Sequence, residues 1–228
     1  MKKTLLIMIL MLSNLIFSQE EKKEYNWAVK INTLQLTDFV SFPTVQLSVE
    51  RKINSWSSLN AEFGYQLYDT ETAVDTVSLK PKGFKANIEG RIYFQELLNR
   101  DRVGKNRFYL GLQLFYRQNQ KSSSLSYSRI DDEEGEYKDY VDNFGVKKSA
   151  RGINLIFGSQ FSVTERFIME PFVALGYMDR NVENPGSEYD EDIHEPTNHH
   201  MIISGYDLEH DHENTVNFGL GFRMGYRF

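Results

Sequence analysis

The chain has 228 residues, no cysteine and a formal net charge of −6, with 13 tyrosines and 16 phenylalanines. The missing cysteines exclude a lipoprotein lipobox, disulfides and thiolate metal sites, and the acidic balance lacks the basic footprint that nucleic-acid binding requires. A mean hydropathy of −0.49 resembles that of a soluble protein, but a transmembrane barrel hides its apolar band as every second residue, where averages do not register it.

Lys2 and Lys3 precede an apolar run from Leu5 to Phe17, broken only by Ser13 and Asn14. A short positive region, an h-region of about 13 residues and Ser18-Gln19 predict a secretory signal peptide cleaved after Ser18, since a membrane-spanning helix takes about 20 apolar residues. Residues 19–228 then form a single domain, long enough for a barrel of eight strands.

A period-2 template finds about eight strands in that domain. The first runs from Trp27 to about Leu36, with Trp27, Val29 and Ile31 on one face and Lys30 and Asn32 on the other; parity changes at Leu34 and Leu36, which predicts a bulge or an early exit into a loop. Val45, Leu47 and Val49 oppose Gln46, Ser48 and Glu50. Leu59, Ala61, Phe63, Tyr65 and Leu67 oppose Asn60, Glu62, Gly64, Gln66 and Tyr68. Phe84, Ala86, Ile88, Gly90, Ile92 and Phe94 alternate with Lys85, Asn87, Glu89, Arg91 and Tyr93, and Phe108, Leu110, Leu112, Leu114 and Tyr116 with Tyr109, Gly111, Gln113, Phe115 and Arg117. Ile153, Leu155, Phe157, Phe161 and Val163 oppose Asn154, Gly158, Gln160 and Ser162. A seventh strand, Phe167 to about Tyr177, keeps Met169, Val173, Leu175 and Tyr177 outward, and a bulge at Glu170-Pro171 would absorb the donor that proline lacks. The last strand is the most regular: Val216, Phe218, Leu220, Phe222, Met224, Tyr226 and Phe228 alternate with Asn217, Gly219, Gly221, Arg223, Gly225 and Arg227. Its apolar face is long enough for a tilted strand to cross a bilayer.

The connections alternate in length. Asn54-Ser55 and Thr164-Glu165-Arg166 are tight turns, whereas Thr70 to Pro81, Asn119 to Lys147 and Asp179 to Glu213 are polar and read as long irregular loops. Short periplasmic turns and long extracellular loops are the pattern of bacterial barrels. Glu96 to Asn106 is long for an inner turn, and Leu97-Leu98-Asn99 reads as a helical turn at that interface.

These features resemble the small outer-membrane barrels of a domain-of-unknown-function type, similar to OmpA-like and OmpX-like eight-stranded barrels. The residues that carry the resemblance are Lys30-Ile31-Asn32 with Pro43 to Glu50, Lys82-Gly83-Phe84 leading to Glu89-Gly90-Arg91, and Glu170-Pro171 followed by Gly176-Tyr177. The resemblance implies an all-β, eight-stranded, antiparallel up-and-down transmembrane barrel in the outer membrane of a Gram-negative-type bacterium. It also implies that Phe228 is the C-terminal signal read by the barrel-assembly machinery. It carries no catalytic residues.

Three groups of residues bear on chemistry. Glu50, Glu62, Glu89, Arg91, Arg117, Glu170, Arg223 and Arg227 have inward parity. Eight strands leave an interior just wide enough for side chains, so these charges are expected to form a lumen ion-pair network that plugs the barrel rather than a conducting pore. All five histidines, His194, His199, His200, His210 and His212, fall in one acidic loop segment. Imidazoles and carboxylates suit zinc, nickel or copper, but ligands spread over a loop are not preorganised, and a solvated acidic loop is the simpler reading. The run Asp131-Asp132-Glu133-Glu134-Gly135-Glu136 fails as an EF-hand, since Gly135 in sixth place makes Ile130 the first ligand. A rim triad drawn from Ser187 or Ser204 with His194 or His212 has no nucleophile elbow to fix it.

The expectation is therefore a non-catalytic barrel without cofactor, monomeric, with a role in envelope integrity or surface interaction. Its expected partners are outer-membrane lipid, lipopolysaccharide, the assembly machinery and an unknown surface or periplasmic protein. A small transport channel, and an outer-rim lipid-modifying enzyme or metal-binding loop, are the alternatives.

Overall fold

A computed structural model describes residues 25–38, 41–66, 82–97, 106–130, 137–188, 195–196 and 213–228. The predicted signal peptide, the five histidines, the acidic run 131–136 and Ser204 lie outside them.

Eight strands follow one another: β1 (Trp27–Asn32), β2 (Val45–Lys52), β3 (Ser57–Tyr65), β4 (Lys82–Tyr93), β5 (Asn106–Ile130), β6 (Tyr137–Ser162), β7 (Phe167–Glu183) and β8 (Glu213–Arg227). Each pairs antiparallel with the next, and β8 pairs with β1 through Val29↔Tyr226 and Ile31↔Met224. The sheet is thus closed and has no edge through its central band. Phe228 completes the seam, since its amide donates to the Trp27 carbonyl at 2.9 Å and its carbonyl accepts from the Trp27 amide at 3.2 Å.

The start of β1 and Phe228 lie at the end of the barrel that carries the tight β2–β3 and β6–β7 turns, here the turn end; the other is the hairpin end. In the turn Val163–Phe167 the Thr164 hydroxyl accepts from the Phe167 amide at 2.9 Å. A short helix α1 (Phe94–Leu97) follows β4 at the turn end; of the helical turn expected at Leu97-Leu98-Asn99, Leu98 and Asn99 lie outside the described residues.

The outward set expected from parity is the exposed set: Leu47, Phe63, Leu112, Phe157, Leu175 and Phe218 are each more than half exposed. Trp27, Trp56, Phe94 and Phe108 ring the turn end of this belt and Tyr65, Tyr116 and Tyr177 its hairpin end. A polar interior inside an apolar belt with aromatic girdles is the surface of a transmembrane barrel, and a strand crossing needs only about 9–11 residues.

Three expectations are corrected. Within the expected loop 119–147, residues 119–130 and 137–147 are not irregular: β5 and β6 stay paired in one register from Asn106↔Phe161 to Ile130↔Tyr137, so more than half of each strand stands beyond the belt. Outside the membrane neither face of this hairpin needs a continuous apolar stripe, so the hydrophobic alternation used to find strands fades there. Its own small core is Leu125, Phe144 and Val146 with Val182 of β7. The strand β7 likewise continues past Tyr177 to Glu183, and Glu195–Pro196 pairs with Tyr127 and Ser128 at the side of β5.

There is also no bulge at Pro171. The β6–β7 register is the same on both sides of it, Gly158↔Phe172 and Phe161↔Met169, and only the two intervening pairs are lost. On its other side Pro171 keeps its place opposite Phe222. The missing donor is absorbed by a gap in the ladder, not by an extra residue. In β1 the parity change marks an early exit: the strand ends at Asn32 and a 3-10 turn, Leu34–Thr37, folds over the mouth of the barrel.

Candidate functional site: the lumen

Parity places one inward side chain per strand at each level of the barrel, and around mid-height most strands contribute a charge. Lys30, Glu50, Glu62, Glu89, Arg91, Glu170 and Arg223, from six of the eight strands, are all 6% exposed or less. Glu170 is the hub. Its Oε2 accepts from Lys30 Nζ at 2.5 Å and Arg91 Nη1 at 3.0 Å, and its Oε1 from Arg223 Nη1 at 2.9 Å and the Tyr109 hydroxyl at 3.0 Å. Arg91 also grips Glu89 in bidentate fashion, at 2.8 and 2.9 Å, and reaches Glu50 at 3.2 Å. Arg223 donates to Glu62 Oε2 at 2.6 Å.

Three cations face four carboxylates, and neutral donors cover the excess oxygen. Ser58 and Tyr93 each donate to Glu50 Oε1 at 2.5 Å, Gln160 donates to Glu50 and Glu170 at 3.3 and 3.2 Å, and Asn87 donates to Glu62 at 3.1 Å. Charges held this far from water persist only when paired and hydrogen-bonded on several sides. Aromatic rings seal the cluster: Arg223 lies 3.9 Å from the Phe172 ring centre and Arg91 4.6 Å from that of Tyr109, with Tyr93, Ile156 and Ala174 around them.

Of the eight residues predicted for the lumen network, Glu50, Glu62, Glu89, Arg91, Glu170 and Arg223 meet in this cluster. Arg117 and Arg227 point inward but stand apart, and among the described residues neither has a carboxylate within ion-pair distance. Arg227, toward the turn end, donates to Gln160 Oε1 at 2.5 Å and Ser162 Oγ at 3.1 Å. Arg117 lies toward the hairpin end, on Asn217 Oδ1 at 2.5 Å and Met178 Sδ at 2.8 Å. Lys30 was missed as a network member, although its inward parity beside Asn32 was the signal; Lys85, which pairs with Asp38 at 2.6 Å, was missed for the same reason.

The cluster divides the lumen. On the turn side a recess of about 30 Å³ is left between Tyr93, Arg107 and Arg227, enough for about one water. On the hairpin side a recess of about 370 Å³ opens, walled by Asn32, Asn87, Gln113, Asn154 and Asn217, floored by Glu62 and Phe172, and partly roofed by the 3-10 turn. Gln35 and Asp38 of that segment both accept from Lys85 Nζ, at 2.8 and 2.6 Å, which ties the β1–β2 connection across to β4.

Of the residues considered for a rim triad, Ser187 is described, and its hydroxyl donates to Asp142 Oδ2 at 3.0 Å.

Among solved structures, the chain is similar to the N-terminal β-barrel domain of OprF from Pseudomonas aeruginosa, at 10% identity over 90% of this chain and 98% of that one with a TM-score of 0.33. It is also similar to a major outer membrane protein from Thermus thermophilus, at 10% identity over 89% and 99% with a TM-score of 0.44. No curated protein matches it. The family described as "Protein of unknown function (DUF3575)" matches residues 5–205, most of the chain, and the chain belongs to that family.

Proposed function

We propose that this protein is a non-catalytic outer-membrane barrel, plugged at mid-height, that contributes to envelope integrity and presents its long β5–β6 hairpin for surface interaction. The observation that supports this most is the seven-residue ion cluster, which fills the cross-section where a channel would need water. The apolar belt, the predicted signal peptide and Phe228 at the seam fit export to the outer membrane, with the turn end in the periplasm and the hairpin outside. Lipid, lipopolysaccharide and the assembly machinery are then its general partners, and the protein is a monomer there.

A deletion strain tests the reading. Raised sensitivity to detergents, restored by the intact gene, is expected, with uptake of small hydrophilic solutes unchanged. A fall in solute uptake would make it a channel, and loss of a lipid modification would make it an enzyme.

A further inference from the structure

We propose that the recess on the hairpin side of the ion cluster is a binding site for a small hydroxylated oxyanion, a sugar phosphate or a sugar acid. Lys85 and Arg117 are direct cross-strand partners in the β4–β5 register, an arrangement in which like charges repel. Asp38 compensates Lys85. Asp38 also attracts Arg117 from beyond ion-pair distance, but the hydrogen bonds of the Arg117 guanidinium go to the neutral acceptors Asn217 and Met178, with the Phe115 ring 5.0 Å away. A guanidinium held in place by neutral groups, beside a second cation and facing a recess, presents its remaining N–H groups to an oxyanion.

The carboxamides extend that polarity along one wall. Arg117 donates to Asn217, Asn217 donates to Asn154 at 2.8 Å, and Asn154 donates to Gln113 at 2.8 Å, so the relay ends on the amide hydrogens of Gln113. Across the recess the lining includes Glu62 and Asn87, side chains that carry acceptor oxygens. A donor at one place and an acceptor at another are together satisfied by hydroxyl groups, which both give and take. Phe115 and Phe172 offer faces for the apolar side of a sugar ring, and 370 Å³ lies at the lower end of the roughly 300–1,000 Å³ typical of small-molecule sites. The ion cluster closes the floor, so this is a site for holding a solute rather than passing it.

Calorimetry on the full barrel, folded in detergent, with glucose 6-phosphate, gluconate and glucose as probes tests the assignment. At least one of the two anions is expected to bind about tenfold or more tightly than glucose, since a charge-assisted hydrogen bond is worth that much. Which anion binds distinguishes a phosphate from a carboxylate source. Arg117→Gln should remove that preference while leaving the heat-modifiable migration of the barrel intact. Should that variant not fold, added NaCl should weaken the anion and not glucose in the unaltered protein. Equal affinity for all three probes, no binding of either anion at millimolar concentration, or an anion preference indifferent to both Arg117→Gln and salt would overturn the proposal. Conduction through the barrel would overturn the plug and leave this test unaffected.

Discussion

Glu170 accepts hydrogen bonds from five side chains on five other strands, which makes it the residue whose loss the lumen tolerates least. Glu170→Ala leaves Lys30, Arg91 and Arg223 facing one another without their shared anion. We expect a loss of about 3–5 kcal/mol, the cost of stranding buried charge, measured by guanidinium unfolding of the barrel in micelles. Facing is tested one residue at a time on β5. Leu112 is 56% exposed in the middle of the belt, so Leu112→Arg should cost about 2–4 kcal/mol in a bilayer. Gln113→Leu, pointing inward, should cost about 1 kcal/mol, because the Asn154 amide it abandons borders the larger recess and can be hydrated. The reverse order would shift the strand by one residue and exchange its faces. Which side chains point inward was legible in the sequence, because parity alone decides it. That Arg117 and Arg227 stand apart from the cluster was not, since parity says nothing of the height at which a residue sits.

At the scale of elements, aromatic rings and glycines pair across strands inside the barrel. Tyr109 lies opposite Gly158 and Phe172 opposite Gly221, each ring lying where the glycine's Cβ would be. The bare backbone of Gly221 makes room for the Phe172 ring that packs against Arg223. Gly221→Ala should therefore overpack the cluster, at about 1–3 kcal/mol by the same unfolding assay, and a neutral result would mean the ring moves freely. Phe228 closes the β8–β1 seam by backbone hydrogen bonds in both directions. Its deletion is expected to lower the yield of heat-modifiable barrel in membranes without lowering export across the inner membrane; normal assembly would remove its role as a signal. The strands within the membrane were readable because lipid demands an apolar residue at every second position. The outer half of the β5–β6 hairpin was not, because Lys121-Ser122-Ser123-Ser124 and Asp139 to Asn143 carry no such stripe, although Leu125-Ser126-Tyr127-Ser128 alternates and was the available signal.

For the whole molecule, the contacts that fill the lumen join residues far apart in the chain: Lys30 with Glu170, Glu62 with Arg223, Arg91 with Glu170. A closed sheet brings β1 to β8 and sets each inward residue at a height fixed by the register of every strand before it, so the barrel and its charged filling were foreseeable while the particular ion pairs were not. The proposed plug is this filling, which seals the lumen at mid-height between a water-sized recess on one side and a ligand-sized one on the other. Planar-bilayer recording of the purified barrel in concentrated KCl addresses it directly. The closed cluster predicts no stable unitary conductance above that of the bare membrane; a reproducible ohmic step, abolished when the protein is omitted, would contradict it.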